Sequence, residues 1–86
     1  MRFENRSASE RIVGYDKVLD HLLSAYGYKG TLGEKLKKEP QVLRGKLDDV
    51  WKLHKIRNRL VHDLEPIPGL DAHAERYRKV LLEILT

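Results

Sequence analysis

Between Pro40 and Val61 the apolar residues fall on two separate stripes of one helix, and a helix of that kind has to be covered twice. At roughly 100° per residue, Leu43, Leu47, Val50, Trp51, His54 and Val61 line the first stripe, and Leu53, Ile56 and Leu60 line the second. Arg44, Asp48, Lys52, Lys55 and Arg59 occupy the remaining sector. Leaving either stripe in water forfeits about 1.5–3 kcal/mol for each large aliphatic side chain. The pattern therefore points to a small bundle with this helix at its centre, the rest of the chain on one side of it and a second copy on the other.

The flanking segments supply the other helices. Ser7 and Glu10 have capping-box spacing, after which Ile12, Val13, Leu19, Leu22, Leu23 and Tyr26 recur at helical intervals until Gly27 provides a stop. Gly14 inside this segment is tolerated at a cost of about 1 kcal/mol relative to Ala. Thr31 and Glu34 repeat the box, with Leu32 and Leu36 as the inward pair of a short helix that Pro40 closes. Glu65-Pro66-Ile67-Pro68-Gly69 ends the central helix, because its prolines remove amide donors. Asp71 is placed to cap a last helix with Leu70, Tyr77, Leu81, Ile84 and Leu85 inward, and Glu75 and Lys79 form an exposed i,i+4 pair. The pattern predicts helices over about 8–26, 32–38, 41–62 and 71–85, an all-α up-and-down four-helix bundle forming one domain over residues 1–86. No strand signal, repeat or low-complexity tract interrupts it.

A chain of 86 residues buries a single core, and without any cysteine it has no disulfide, no thiolate metal site and no thiol nucleophile. Hydrophobic residues make up 41% of it but never run unbroken for the length a membrane span needs, about 20 residues. Met1-Arg2-Phe3-Glu4-Asn5-Arg6 leads into polar residues rather than a secretory signal, so a cytoplasmic location is the expectation. The net charge of +4 favours phosphate-bearing partners, although it is moderate for a dedicated nucleic-acid binder.

Chemistry concentrates at the end of the central helix, where Arg57, Asn58 and His62 bring together a cation, an amide and an imidazole. Cleaving RNA without a metal requires removal of the 2′-hydroxyl proton, protonation of the leaving oxygen and a fixed cation beside the phosphorane. Histidine suits the proton transfers, since its ordinary pKa near 6.5 lies close to working pH. Arginine suits the third role as a permanently charged fork, and Asn58 can orient either the imidazole or the phosphate. On a straight helix, however, positions 57 and 62 point roughly 140° apart. A site shared between two copies of the helix would bring Arg57 and His62 to one phosphate.

The run Ile56-Arg57-Asn58-Arg59-Leu60-Val61-His62 resembles the Arg-x4-His motif of HEPN (higher eukaryotes and prokaryotes nucleotide-binding) domains, in which an Asn, Asp or His commonly follows the Arg. The resemblance implies a small helical bundle that dimerises through the motif-bearing helix to form a metal-independent endoribonuclease site. It also implies a toxin or defence role, with an antitoxin or other protein as partner, single-stranded RNA as substrate and no cofactor. In one toxin branch of that family a Tyr, the target of a nucleotidyltransferase antitoxin, stands two positions after the His. Leu64 occupies that place here, so the resemblance does not extend to this form of regulation. Some HEPN domains are catalytically silent nucleotide-binding, protein-interaction or dimerisation modules, and that alternative stays open.

Other residues have two readings. Lys52, Lys55 and Arg59, with Arg44, form a sector that can track an RNA backbone or serve as a solvated face. His54 lies on the first stripe one turn before Asn58; it is read as a buried, hydrogen-bonded core histidine, with RNA contact as its alternative role. Trp51 is read as core, although a base could stack on it. In the same structural reading, Arg57 pairs with Asp63 or Glu65 and His62 caps the helix end. His21 and His73 stand near Asp20 and Asp71 without clustered ligand spacing, so no metal is expected. Tyr15, Tyr26, Tyr28 and Tyr77 are expected to pack with their hydroxyls at the rim.

Overall fold

The capping boxes and helix stops set where the chain turns. The computed structural model describes residues 7–62 and 67–86 and contains four α-helices: α1 (Ala8–Ala25), α2 (Leu32–Lys37), α3 (Leu47–His62) and α4 (Leu70–Leu85). No strand occurs among the described residues. At the start of α1 the Glu10 amide donates to Ser7 Oγ at 3.3 Å. At α2 the box is reciprocal: the Glu34 amide donates to Thr31 Oγ1 at 3.2 Å and the Thr31 amide donates to Glu34 Oε1 at 2.9 Å. The hydrogen bonds from the Thr31 backbone and side chain hold the Glu34 carboxyl below the usual glutamate range.

The central helix is shorter than its periodicity predicts. Gln41–Leu43 form a separate 3-10 turn, and Gly45 at φ 81° redirects the chain before α3 begins at Leu47. A positive φ suits Gly and ends a regular right-handed helix, so Leu43 reaches the core from the turn and not from the helix predicted over 41–62. The last helix also starts differently. Gly69, at φ 69°, is the N-cap of α4, and Asp71 lies in its first turn. There its carboxylate suits the helix dipole and stands 3.5 Å from Arg11 Nη2. Glu75 accepts from Arg78 Nη1 at 3.2 Å, in place of the Lys79 pairing.

α1 packs against α4 and α3, and α2 closes one side against α3 and α1. The fully buried core runs through Ile12, Leu19 and Leu23 of α1, Leu36 of α2, Val50 of α3, and Tyr77 and Val80 of α4. Both stripes of α3, apart from Val61 at its end, find cover inside one chain. Val50 and His54 of the first stripe and Leu53 and Ile56 of the second are buried, and Leu47, Trp51 and Leu60 pack at the edge of the core. Burial alone therefore requires no second copy. Val61, Tyr26 and Leu85, all assigned inward by periodicity, are 51%, 62% and 55% exposed. For Leu85 the reason is angular. The buried arc of α4 is centred on Tyr77 and filled by Ala74, Val80 and Leu81, whereas Leu85 lies roughly 80° from Tyr77 around the helix. No helix among the described residues is long and apolar enough to cross a membrane.

Glu39, between α2 and Pro40, has φ 50°. A side chain in the left-handed region costs roughly 1 kcal/mol, and a following proline restricts that residue further. Glu39→Gly is expected to raise the unfolding free energy by about 0.5–1 kcal/mol, read from urea denaturation. A drop instead would show that the Glu39 side chain contributes more than its backbone costs.

Candidate functional site

Asp16 faces the core from the inner side of α1 and is 5% exposed. A carboxylate buried this far costs several kcal/mol unless it is paired and hydrogen-bonded. α3 and α4 supply the partners. Tyr77 Oη donates to Asp16 Oδ1 at 2.6 Å. His54 Nδ1 lies 3.2 Å from Oδ1 and 3.1 Å from Oδ2, and Arg57 Nε stands 3.5 Å from Oδ2. Tyr77 is thus inward as its spacing predicts, but its hydroxyl, expected at the rim, is buried with it, and the ring of Tyr15 meets it edge-on at 5.9 Å between centroids. Burial, reinforced by the charge of Asp16 and its hydrogen bond, pushes the Tyr77 phenol well above its ordinary pKa; the Arg57 cation opposes this.

His54 is buried and hydrogen-bonded, in line with the core reading, but its ring has two ends. The Asp16 carboxylate accepts from Nδ1, which fixes the proton on that nitrogen and turns Nε2 outward. Nε2 lies 3.7 Å from where a Cβ on Gly33 would stand, so the missing side chain of Gly33 leaves it open to a cleft. That cleft, of about 530 Å³, is walled by Asp16, Lys17 and Asp20 of α1. Its other walls are Thr31, Leu32 and Gly33 at the start of α2, and His54, Arg57 and Asn58 of α3. Arg57 Nη1 donates to Asn58 Oδ1 at 3.2 Å. Behind the wall Lys35 Nζ donates to Asp20 Oδ1 and Ser24 Oγ, both at 2.6 Å, and braces α2 on α1 while balancing the charge of Asp20.

Of the residues singled out in the sequence, Arg57, Asn58 and His54 share this cleft. His62 is exposed on the last turn of α3 and does not line it. Lys52 and Lys55 line a different groove with Asp48 and Trp51, and Arg59 is exposed. His21 is exposed and His73 half-buried, and the described residues contain no group of three or more His, Asp or Glu placed to hold a metal ion. Asp63, Leu64, Glu65 and Pro66 lie outside the described residues, as do Met1 to Arg6. The expected Arg57 pairings with Asp63 or Glu65, the Leu64 position and the leading segment therefore receive no structural account. Sequence reasoning passed over Asp16, Tyr77 as a polar group, and Lys35. A signal for Asp16 was present, because it falls within the inward arc of α1 formed by Ile12, Tyr15, Leu19 and Leu23.

Comparison of the chain with family models, curated proteins and solved structures finds no match.

Asp16→Ala is expected to cost about 3–5 kcal/mol by leaving buried partners uncompensated, and Tyr77→Phe about 1–2 kcal/mol; chemical denaturation measures both. The pH dependence follows from the raised Tyr77 pKa. The stability held by its neutral form is fully present below the ordinary phenol pKa of about 10 and is lost as pH rises towards the higher folded value. Tyrosinate absorbance from Tyr77 should thus develop together with loss of helix, and Tyr77→Phe should lack that phase. Its appearance before helix loss would contradict the buried geometry.

Proposed function

We propose that this protein is a HEPN-like RNA-binding domain acting as a metal-independent endoribonuclease of the toxin or defence type. One observation carries the reading: Arg57 and Asn58, adjacent in the motif, are hydrogen-bonded to each other on the wall of a cleft of about 530 Å³. A guanidinium held in that position can meet phosphate oxygens, and the neighbouring amide can orient the scissile group. His62 is the proton-transfer residue of the motif. It stands five residues further along α3 at roughly 140° from Arg57, so a second copy brings its own His62 to the cleft, and the active species is a homodimer. That dimer rests on the divergence of the two side chains, since both apolar stripes of α3, Val61 apart, are already covered within one chain. Lys52, Lys55 and Arg59 of each copy supply cationic contacts along the RNA backbone, which makes binding salt-sensitive. An antitoxin or comparable protein would act by occluding this composite cleft.

The pairing of Arg57 with Asp16 favours a second reading, a silent nucleotide-binding, interaction or dimerisation module in which Arg57 serves the fold.

Incubation with labelled single-stranded RNA in EDTA tests the first reading. Wild type is expected to cleave, with His62→Ala and Arg57→Ala each reduced by roughly 10²–10⁴. Light scattering at high micromolar concentration should give the mass of a dimer. Intact RNA, cleavage by the variants equal to wild type, or a monomeric mass alongside full activity would overturn the composite site. Loss of thermal stability in Arg57→Ala with no cleavage by wild type would favour the silent module.

A further inference from the structure

We propose, resting on the ribonuclease reading above, that His54 is a proton-transfer residue of the cleft, with Asp16 as its positioning partner and a phosphodiester as the ligand it faces. Position 54 lies outside the Arg57–His62 motif, and its chemistry is set by geometry. Asp16 accepts a hydrogen bond from Nδ1 at 3.1 Å, so whenever the ring is neutral its lone pair lies at Nε2. Among the described residues no group hydrogen-bonds Nε2, whereas Nδ1 is fully engaged. Opposite it stands Gly33, where an added Cβ would lie 3.7 Å from Nε2. Arg57 and Asn58 lie three and four residues along the same helix, hence on the same face as His54.

A buried histidine serving the fold alone has no need of an open nitrogen beside a glycine in a cleft walled by an arginine and an asparagine. The charged residues lining the cleft with His54 are Asp16, Lys17 and Asp20 from α1 and Arg57 from α3; Asp20 is offset by Lys35, and the Tyr77 hydroxyl from α4 is engaged by Asp16. The lining itself carries two carboxylates and two cations, and a phosphodiester meets a net positive charge there because Lys35, behind the wall, offsets Asp20.

In the reaction, Nε2 accepts the 2′-hydroxyl proton as the bond from the 2′-oxygen to phosphorus forms. The bond from phosphorus to the 5′-oxygen breaks and its electron pair leaves on that oxygen, which takes a proton from water or from the second copy's acid group. The product is a 2′,3′-cyclic phosphate and a 5′-hydroxyl, and His54 returns its proton to solvent.

Two variants and one titration test this. His54→Gln is expected to lower RNA cleavage in EDTA about a hundredfold or more and to flatten the acidic limb of the pH–rate profile. Because that variant also loosens Asp16, Gly33→Ala serves as the independent probe. Its Cβ would sit in ordinary van der Waals contact with Nε2 and replaces a helix glycine, so melting temperature should hold or rise while cleavage falls about tenfold. Titrating wild type with inorganic phosphate should move the His54 imidazole resonances, assigned from His54→Gln, and Gly33→Ala should weaken that response. Cleavage at wild-type rates by both variants overturns the role of His54 and leaves the ribonuclease reading standing. If wild type does not cleave, the ribonuclease reading and the proton transfer both fail. The phosphate titration then decides the site: a His54 response retains the cleft as a phosphate site, and none removes it.

Discussion

The Asp16 carboxylate is the point on which the arrangement of α1, α3 and α4 depends. It is buried, and its partners come from two other helices: Tyr77 from α4, and His54 and Arg57 from α3. Apolar packing fixes the distances between helices but tolerates some rotation of each about its own axis, because side chains of similar size can exchange places. A carboxylate that must meet a phenol and an imidazole within 3.2 Å tolerates far less. Replacing such a network with apolar residues of similar volume is often neutral or stabilising, so the contribution of Asp16 is geometric more than energetic. It sets the rotation of α3, and with it the direction in which Arg57 and Asn58 project.

α2 completes the site in a different way. With six residues it is too short to be stable alone, and it holds its place through the Thr31–Glu34 box at one end and Lys35 at the other. Lys35 is buried, with its ammonium shared between Asp20 and Ser24. That bond fixes the short helix on α1 and removes from the cleft a negative charge that would otherwise oppose an anion. Gly33 then faces His54 from a wall that cannot drift away.

The helical class and most helix boundaries were legible because they follow from local rules: capping boxes, glycine stops and the 3.6-residue period. The misreadings have a common origin. The helix predicted over 41–62 ran through Gly45, since periodicity records which residues are apolar and not which φ a glycine adopts. One of the two stripes appeared to need another copy because the wheel shows what must be covered but not how many neighbours a folded chain supplies. The Tyr77 hydroxyl was placed at the rim from the usual habit of tyrosine, while its partner Asp16 lay 61 residues away in sequence. Arg57, Asn58 and His54 could be picked out as a polar group by their spacing on one helix. That the cleft they share opens against Gly33 of α2 required the tertiary structure.

The structural and chemical claims on Arg57 are compatible, and the hydrogen-bond inventory shows why. Asp16 already accepts a short bond from Tyr77 and a longer one from His54, and Arg57 faces it at 3.5 Å as an ion pair whose Nε makes no hydrogen bond among the described residues. One further donor goes to Asn58. A guanidinium has five N–H donors; one bonds Asn58 and Nε faces Asp16, which leaves part of the fork uncommitted. An arginine needed only for the fold would be expected to spend its donors on the carboxylate it neutralises, in the bidentate manner that makes such pairs strong. Here the stronger bonds to Asp16 come from Tyr77 and His54, and Arg57 is held by charge with its orientation set through Asn58. An arriving phosphate can then engage the remaining donors without breaking the bonds that hold α3 and α4 on α1.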